Sequence, residues 1–322
     1  MTLRLRNLAI FFLAAALLSG QQQKKGSPQR PAPAEPSDDR IIIDVTRVNI
    51  LFAVTDKKGR FVTNLNRDDF EVYETKKAQT IQEFTAETNL PLRLGILIDT
   101  SNSVRDRFRF IQDAATEFLK SVMRPEVDRT VLVSFDTSAQ MVSDLTNDVD
   151  KLEKGIKELR PGGGTALYDA IYFSCRDKLI LDQPRHKFRR ALVILSDGDD
   201  NQSRYTREQA LEMAQKTDVV VYTISTNRSG TETEGDRLLK YLSRETGGMA
   251  FFPFKVQDMQ QSFTNIANEL RSQYNLFYRP EPLRADGLYH TVDVRVKNKK
   301  DLQVRARRGY YAPNEIKSGS ED

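Results

Sequence analysis

Leu94-Gly95-Ile96-Leu97-Ile98-Asp99-Thr100-Ser101-Asn102-Ser103 is an apolar run that stops at a carboxylate and then sets two serine hydroxyls at alternate positions. An apolar run without polar alternation marks a strand buried on both faces, as in a parallel sheet. The oxygen side chains of Asp99, Ser101 and Ser103 at its end suit a hard divalent cation such as magnesium. An aspartate after a strand is also a common helix cap, so the stretch alone leaves both readings open.

Downstream, strands and helices alternate. Phe108, Ile111, Ala115, Phe118, Leu119 and Val122 recur at three- and four-residue spacings, which predicts an amphipathic helix that Pro125 stops. Thr130–Phe135, Arg190–Leu195 and Val219–Ile224 read as further buried strands, with a short edge strand at Met141-Val142. Helices are expected over Val149–Leu159, after Thr165, over Thr206–Thr217, near Gly235–Thr246, and along Met259, Phe263, Ile266 and Leu270. This predicts an α/β fold over residues 91–272: a Rossmann-like, doubly wound, mostly parallel sheet covered by helices on both faces.

The flanks are different. Val48, Ile50, Phe52 and Val54 alternate, Asp56–Gly59 supplies a turn, and Phe70/Val72 and Ile81–Thr85 suggest more strands. After Ser272, strands are expected at Tyr274–Tyr278, Val292/Val294/Val296 and Leu302/Val304/Ala306, the last two as a hairpin turned by Asn298–Asp301. Neither flank alone offers enough strands for a core. Residues 41–90 and 273–313 are therefore expected to build one small β-sandwich with the α/β domain inserted in it; two separate β units are the alternative.

Residues 1–20, with Arg4, Arg6, the apolar run Leu8–Leu18 and Ser19-Gly20, have the layout of a signal peptide. The run is short for a membrane span. The expectation is export to the periplasm or the outside, with an uncleaved signal anchor as the one membrane-spanning alternative. Residues 21–40, rich in proline and nearly free of apolar side chains, read as a disordered linker, and 314–322 as a disordered tail.

The 322-residue chain carries a net charge of +4 from many residues of both signs, so no global field points to nucleic acid or anionic membrane. Arg295, Lys297, Lys299, Lys300, Arg305, Arg307 and Arg308 make the last strands basic, but they alternate with valines as on half-exposed strands kept soluble at an edge. The single cysteine, Cys175, excludes an intramolecular disulfide and Cys-rich zinc motifs and reads as a buried inert thiol. His186 and His290 read as separate surface histidines.

Two further segments bring oxygen side chains to the same rim. Asp197, in Leu195-Ser196-Asp197-Gly198-Asp199-Asp200-Asn201, follows a buried strand as Asp99 does, and Thr165 follows Gly162–Gly164 directly. In open α/β sheets, ligands bind outside the carboxyl ends of the strands. The glycine run lacks the Gly-Lys-Ser/Thr of a phosphate loop.

Asp99-Thr-Ser101-Asn-Ser103, Thr165 after glycines, and Asp197-Gly198 resemble the metal-ion-dependent adhesion site of von Willebrand factor A domains. The resemblance implies that Ser101 and Ser103 are direct hydroxyl ligands and that Thr165 binds directly or through water. Asp99 and Asp197 would then hold coordinated waters. The cation expected is Mg2+, with Mn2+ or Ca2+ also compatible with the oxygen set. The partner implied is a protein presenting an Asp or Glu to the open metal position. The signal, the flanking strands and the Arg307–Pro313 ending also resemble bacterial extracytoplasmic VWFA-related proteins. No side chain is placed as a base or nucleophile, so an enzyme is not expected. A scaffold in an envelope assembly, with the metal steadying the fold, is the alternative function.

Overall fold

Strands with no polar alternation lie in the middle of the structure, where both faces are covered. The computed structural model describes residues 47–314 except 87–89, 185–186, 228, 254–255 and 300. The signal-like segment, the linker, residues 41–46, His186 and residues 315–322 lie outside the described residues. In chain order the elements are β1 (Val48–Thr55), β2 (Phe70–Glu74), β3 (Lys77–Gln79), β4 (Ile81–Thr85), β5 (Leu92–Asp99), α1 (Phe108–Val122), β6 (Arg129–Phe135) and β7 (Ala139–Thr146). Then follow α2 (Val149–Glu158), α3 (Leu167–Ser174), β8 (Arg189–Ser196), α4 (Arg207–Lys216), β9 (Val219–Ser225), α5 (Glu234–Thr246), β10 (Ala250–Phe251) and α6 (Val256–Arg271). The chain closes with β11 (Tyr274–Tyr278), β12 (Tyr289–Val296), β13 (Gln303–Ala306) and β14 (Gly309–Tyr311).

The central sheet runs β10-β9-β8-β5-β6-β7, parallel throughout except for the antiparallel edge strand β7. Every residue of β5, β8 and β9 is buried. On one face Leu94, Ile96 and Ile98 pack with Ile111 and Phe118 of α1 and Phe263 and Ile266 of α6. Phe118 and Phe263 stack at 4.6 Å. The chain leaves β5 for β6 on one side and later returns through β8 to β10 on the other. The carboxyl end of β5 is thus the topological switch point, and β8 lies beside it with Ile98 opposite Leu195.

Both flanks contribute to two further antiparallel sheets, β13-β1-β11-β4 and β14-β12-β2-β3. Their inner faces share one core, in which Val48, Ile50 and Phe52 meet Phe70, Val72, Val292 and Val294. Phe52 meets Phe70 edge-on at 5.0 Å. The hairpin expected at Asn298–Asp301 does not form: β12 pairs with β2 and β14, while β13 pairs with β1 in the other sheet. The turn carries the chain across the sandwich, because the apolar side chains of β12 and β13 face the shared core from opposite sheets. His290 is not on the surface either; it is 7% exposed on β12, with Nε2 2.9 Å from Asp286 Oδ1.

The sandwich joins the α/β unit through charge. Arg305 of β13 donates from Nε to Oε1 of the buried Glu269 on α6 at 3.2 Å, and its Nη2 lies 2.6 Å from Oε2 without hydrogen-bond alignment. Arg307 pairs with Asp218 and donates to the Asn49 carbonyl at 2.7 Å. Two of the C-terminal basic residues therefore serve this joint rather than edge solubility. Among the described residues, no helix is long and apolar enough to cross a membrane.

Candidate metal centre

Three loops meet at the carboxyl ends of β5 and β8. The first begins at Asp99, whose side chain is fully buried at the end of β5. Its Oδ1 accepts the Ser101 N–H at 2.8 Å, and its Oδ2 accepts the Ser196 hydroxyl at 2.6 Å. Both donors are neutral. Burial pushes the Asp99 carboxyl up to about 6, the two serines pull against that rise, and the neighbouring charge of Asp197 adds to it. A 3-10 turn over Asn102–Arg107 follows, with Ser101 buried at its start and Ser103 exposed. The Oγ atoms of Ser101 and Ser103 are 2.9 Å apart and share a hydrogen bond.

The second loop is the glycine run. Gly162 N–H donates to the Thr100 carbonyl at 2.6 Å, and Asn102 donates to the Gly163 carbonyl from its N–H at 3.3 Å and from Nδ2 at 3.1 Å. These bonds fasten the segment leading to Thr165, itself 3% exposed, against the loop that carries both serines. The third loop follows β8. Gly198 N–H donates to Ser196 Oγ at 3.0 Å, so the serine that holds Asp99 also shapes the turn after Asp197. Gly198 has φ +85°, and its site for a Cβ is 2.4 Å from the Gly235 carbonyl. Only glycine accepts both the backbone conformation and the close passage of α5. Asn201 and Gln202 N–H both reach the Thr165 carbonyl at 3.0 Å, which ties the third loop to the second.

The structure thus gathers the loops of Asp99, Ser101, Ser103, Thr165 and Asp197 at one rim. Asp200 has a different task. Its Oδ2 accepts the Ser203 hydroxyl at 2.6 Å and the Tyr168 N–H at 3.1 Å, so it caps the start of α3. Asp199 is exposed, yet partial desolvation by the surrounding loops, with the charges of Asp197, Glu234 and Asp236, raises its carboxyl above the ordinary range. Asn102, Ser196 and Asn201 went unnoticed in the sequence, although all three are polar residues within the loops that the motif defines. Cys175 is buried as expected, and burial pushes its thiol up to about 12.

The donor set fits a small hard dication. Two adjacent ligands of an octahedral Mg2+ bound at about 2.1 Å lie about 3 Å apart, which is the spacing of the two serine hydroxyls. The charge of Asp197 is felt at the buried Asp99 carboxyl, and the hydrogen bonds to that carboxyl come from uncharged groups. Among the described residues no group of three or more His, Cys, Asp or Glu is placed to hold a metal ion.

Residues 94–199 match the family model described as von Willebrand factor type A domain. That match lies within the α/β unit, which over residues 94–199 is similar to a von Willebrand factor type A domain. Among solved structures, the chain is similar to BatB from Bacteroides thetaiotaomicron, at 15% identity over 56% of this chain and 100% of that one (TM-score 0.45). It is also similar to the vWF domain of the type V pilus tip protein Mfa5 from Porphyromonas gingivalis, at 15% identity over 57% and 96% (TM-score 0.48). A third is mussel byssus proximal thread matrix protein 1, solved with a zinc-occupied MIDAS motif, at 14% identity over 60% and 48% (TM-score 0.48). Protein NBA1 of Saccharomyces cerevisiae is 25% identical over 144 residues, a match that spans 40% of this chain and 28% of that protein.

Proposed function

We propose that this is an exported binding protein whose von Willebrand factor type A domain holds a divalent cation, Mg2+ by preference, and captures an acidic residue of a protein partner there. Ser101, Ser103 and Thr165 would ligate the cation through hydroxyls, and Asp99 and Asp197 would hold waters of its shell. The observation that carries this reading is the buried Asp99, held by neutral donors and within reach of the charge of Asp197, with a 2.9 Å pair of serine hydroxyls on the loop that follows it. A lone buried carboxylate is costly, and a dication is the partner that its surroundings suit. Once bound, the ion offers an electrophilic open position to an incoming carboxylate, because hydroxyls and waters neutralise little of its charge.

The protein's own residues prepare that position. Ser196 and the Ser101 N–H fix both oxygens of Asp99, and Asn102 fixes the glycine loop. Binding rather than catalysis is the expectation, because the motif itself names no side chain as a base or nucleophile. Export is carried by the signal-like residues 1–20. The test is partner retention from envelope extract with Mg2+ present. Retention that EDTA and Asp197→Ala both abolish supports the reading; retention indifferent to both contradicts it and favours a scaffold.

A further inference from the structure

Asn201 meets Thr165 twice. Its side-chain Oδ1 accepts the Thr165 N–H at 3.0 Å, and its own N–H donates to the Thr165 carbonyl at 3.0 Å. Gln202 N–H reaches the same carbonyl at 3.0 Å. Thr165 follows three glycines, which have no side chains to fix where the next residue points. The direction of its hydroxyl is therefore set by what holds its backbone. The fit leaves little slack: a Cβ on Gly164 would fall 2.8 Å from Asn201 Oδ1 and 2.6 Å from Gln202 Cγ.

We propose that Asn201 is the positioning residue of the cation site, clamping both backbone groups of Thr165 so that its hydroxyl is held at the rim, in register with Asp197 on the same loop. This rests on the cation-binding reading above. The carboxamide suits the place. It accepts a hydrogen bond as a carboxylate would, without a further negative charge in a loop that already carries Asp197, Asp199 and Asp200. Residues that orient metal ligands through one hydrogen bond commonly govern affinity about 10- to 100-fold.

The test is Mn2+ binding by the full chain, read from the paramagnetic resonance signal of free Mn2+, beside thermal unfolding in EDTA. Asn201→Ala is expected to weaken Mn2+ binding about 10- to 100-fold. Asn201→Asp keeps the acceptor and is expected to bind nearly as well as the unsubstituted chain. A purely structural role would lower the unfolding temperature in EDTA and leave the affinity of the folded protein unchanged. Gly164→Ala displaces the same clamp from the other side and is expected to weaken Mn2+ in the same direction, which keeps the test open if Asn201→Ala does not fold. Unchanged affinity in Asn201→Ala or in Gly164→Ala overturns the clamp alone, as does an Asn201→Asp chain as weak as the alanine variant. An unsubstituted chain that fails to bind Mn2+ overturns the cation reading itself, and the clamp with it.

Discussion

At the scale of single residues, Asp99 decides the character of the site. Its carboxyl is moved from an ordinary 3.8 to about 6 by burial, so in metal-free protein the folded state holds the proton more tightly than the unfolded state. The stability this gives is present below pH 3.8 and is lost as pH rises to about 6, leaving an ionised, buried Asp99 at neutral pH. The loss amounts to about 3 kcal/mol. Asp99→Asn is thus expected to raise the stability of the chain in EDTA at pH 7 by up to about 3 kcal/mol while removing the stabilisation that Mg2+ gives. Urea unfolding at pH 7, with and without Mg2+, measures both; a variant less stable in EDTA than the parent would contradict the burial argument. Cation affinity should rise with pH through about 6, since the ion selects the ionised carboxylate. Asp99, Ser101 and Asp197 were legible in the sequence because each breaks an apolar strand or follows it directly. Ser196 and Asn201 were not, since a polar residue in a loop looks like solvation until its hydrogen-bond partner, 97 residues away for Ser196 and 36 for Asn201, is known.

At the scale of elements, the site depends on how closely α5 passes the loop after β8. A Cβ on Gly235, in the first turn of α5, would sit 2.1 Å from the Asp197 carbonyl. Gly235→Ala must displace one backbone or the other, at about 1–3 kcal/mol. Because the obstructed atom belongs to Asp197, cation affinity should fall along with stability; Mn2+ binding unchanged in this variant would show that the loop absorbs the shift. The alternation of buried strands and amphipathic helices was enough to read the central sheet and its helices. The pairing of β12 and β13 was not readable from alternation. Two adjacent alternating strands joined by a short turn look alike whether they pair with each other or cross between sheets, and only the shared core of both sheets separates the cases.

At the scale of the whole molecule, the sandwich is held to the α/β unit by pairs that a sequence reading takes for soluble edge charges. Arg305 is the clearest, because Glu269 is only 1% exposed and burial raises its carboxyl despite the guanidinium beside it. Arg305→Ala leaves that carboxylate buried without its partner and is expected to cost about 3–5 kcal/mol in urea unfolding, whereas a surface pair would cost below about 1. A loss in the surface range would mean that the joint is made elsewhere. The most direct measurement is calorimetric titration of the full chain with Mg2+, in parallel with Ser101→Ala and Asp197→Ala. Saturable binding of one ion that either substitution abolishes is the expected result. Absence of binding in the unsubstituted chain, or binding that survives both substitutions, would contradict a metal centre at the end of β5.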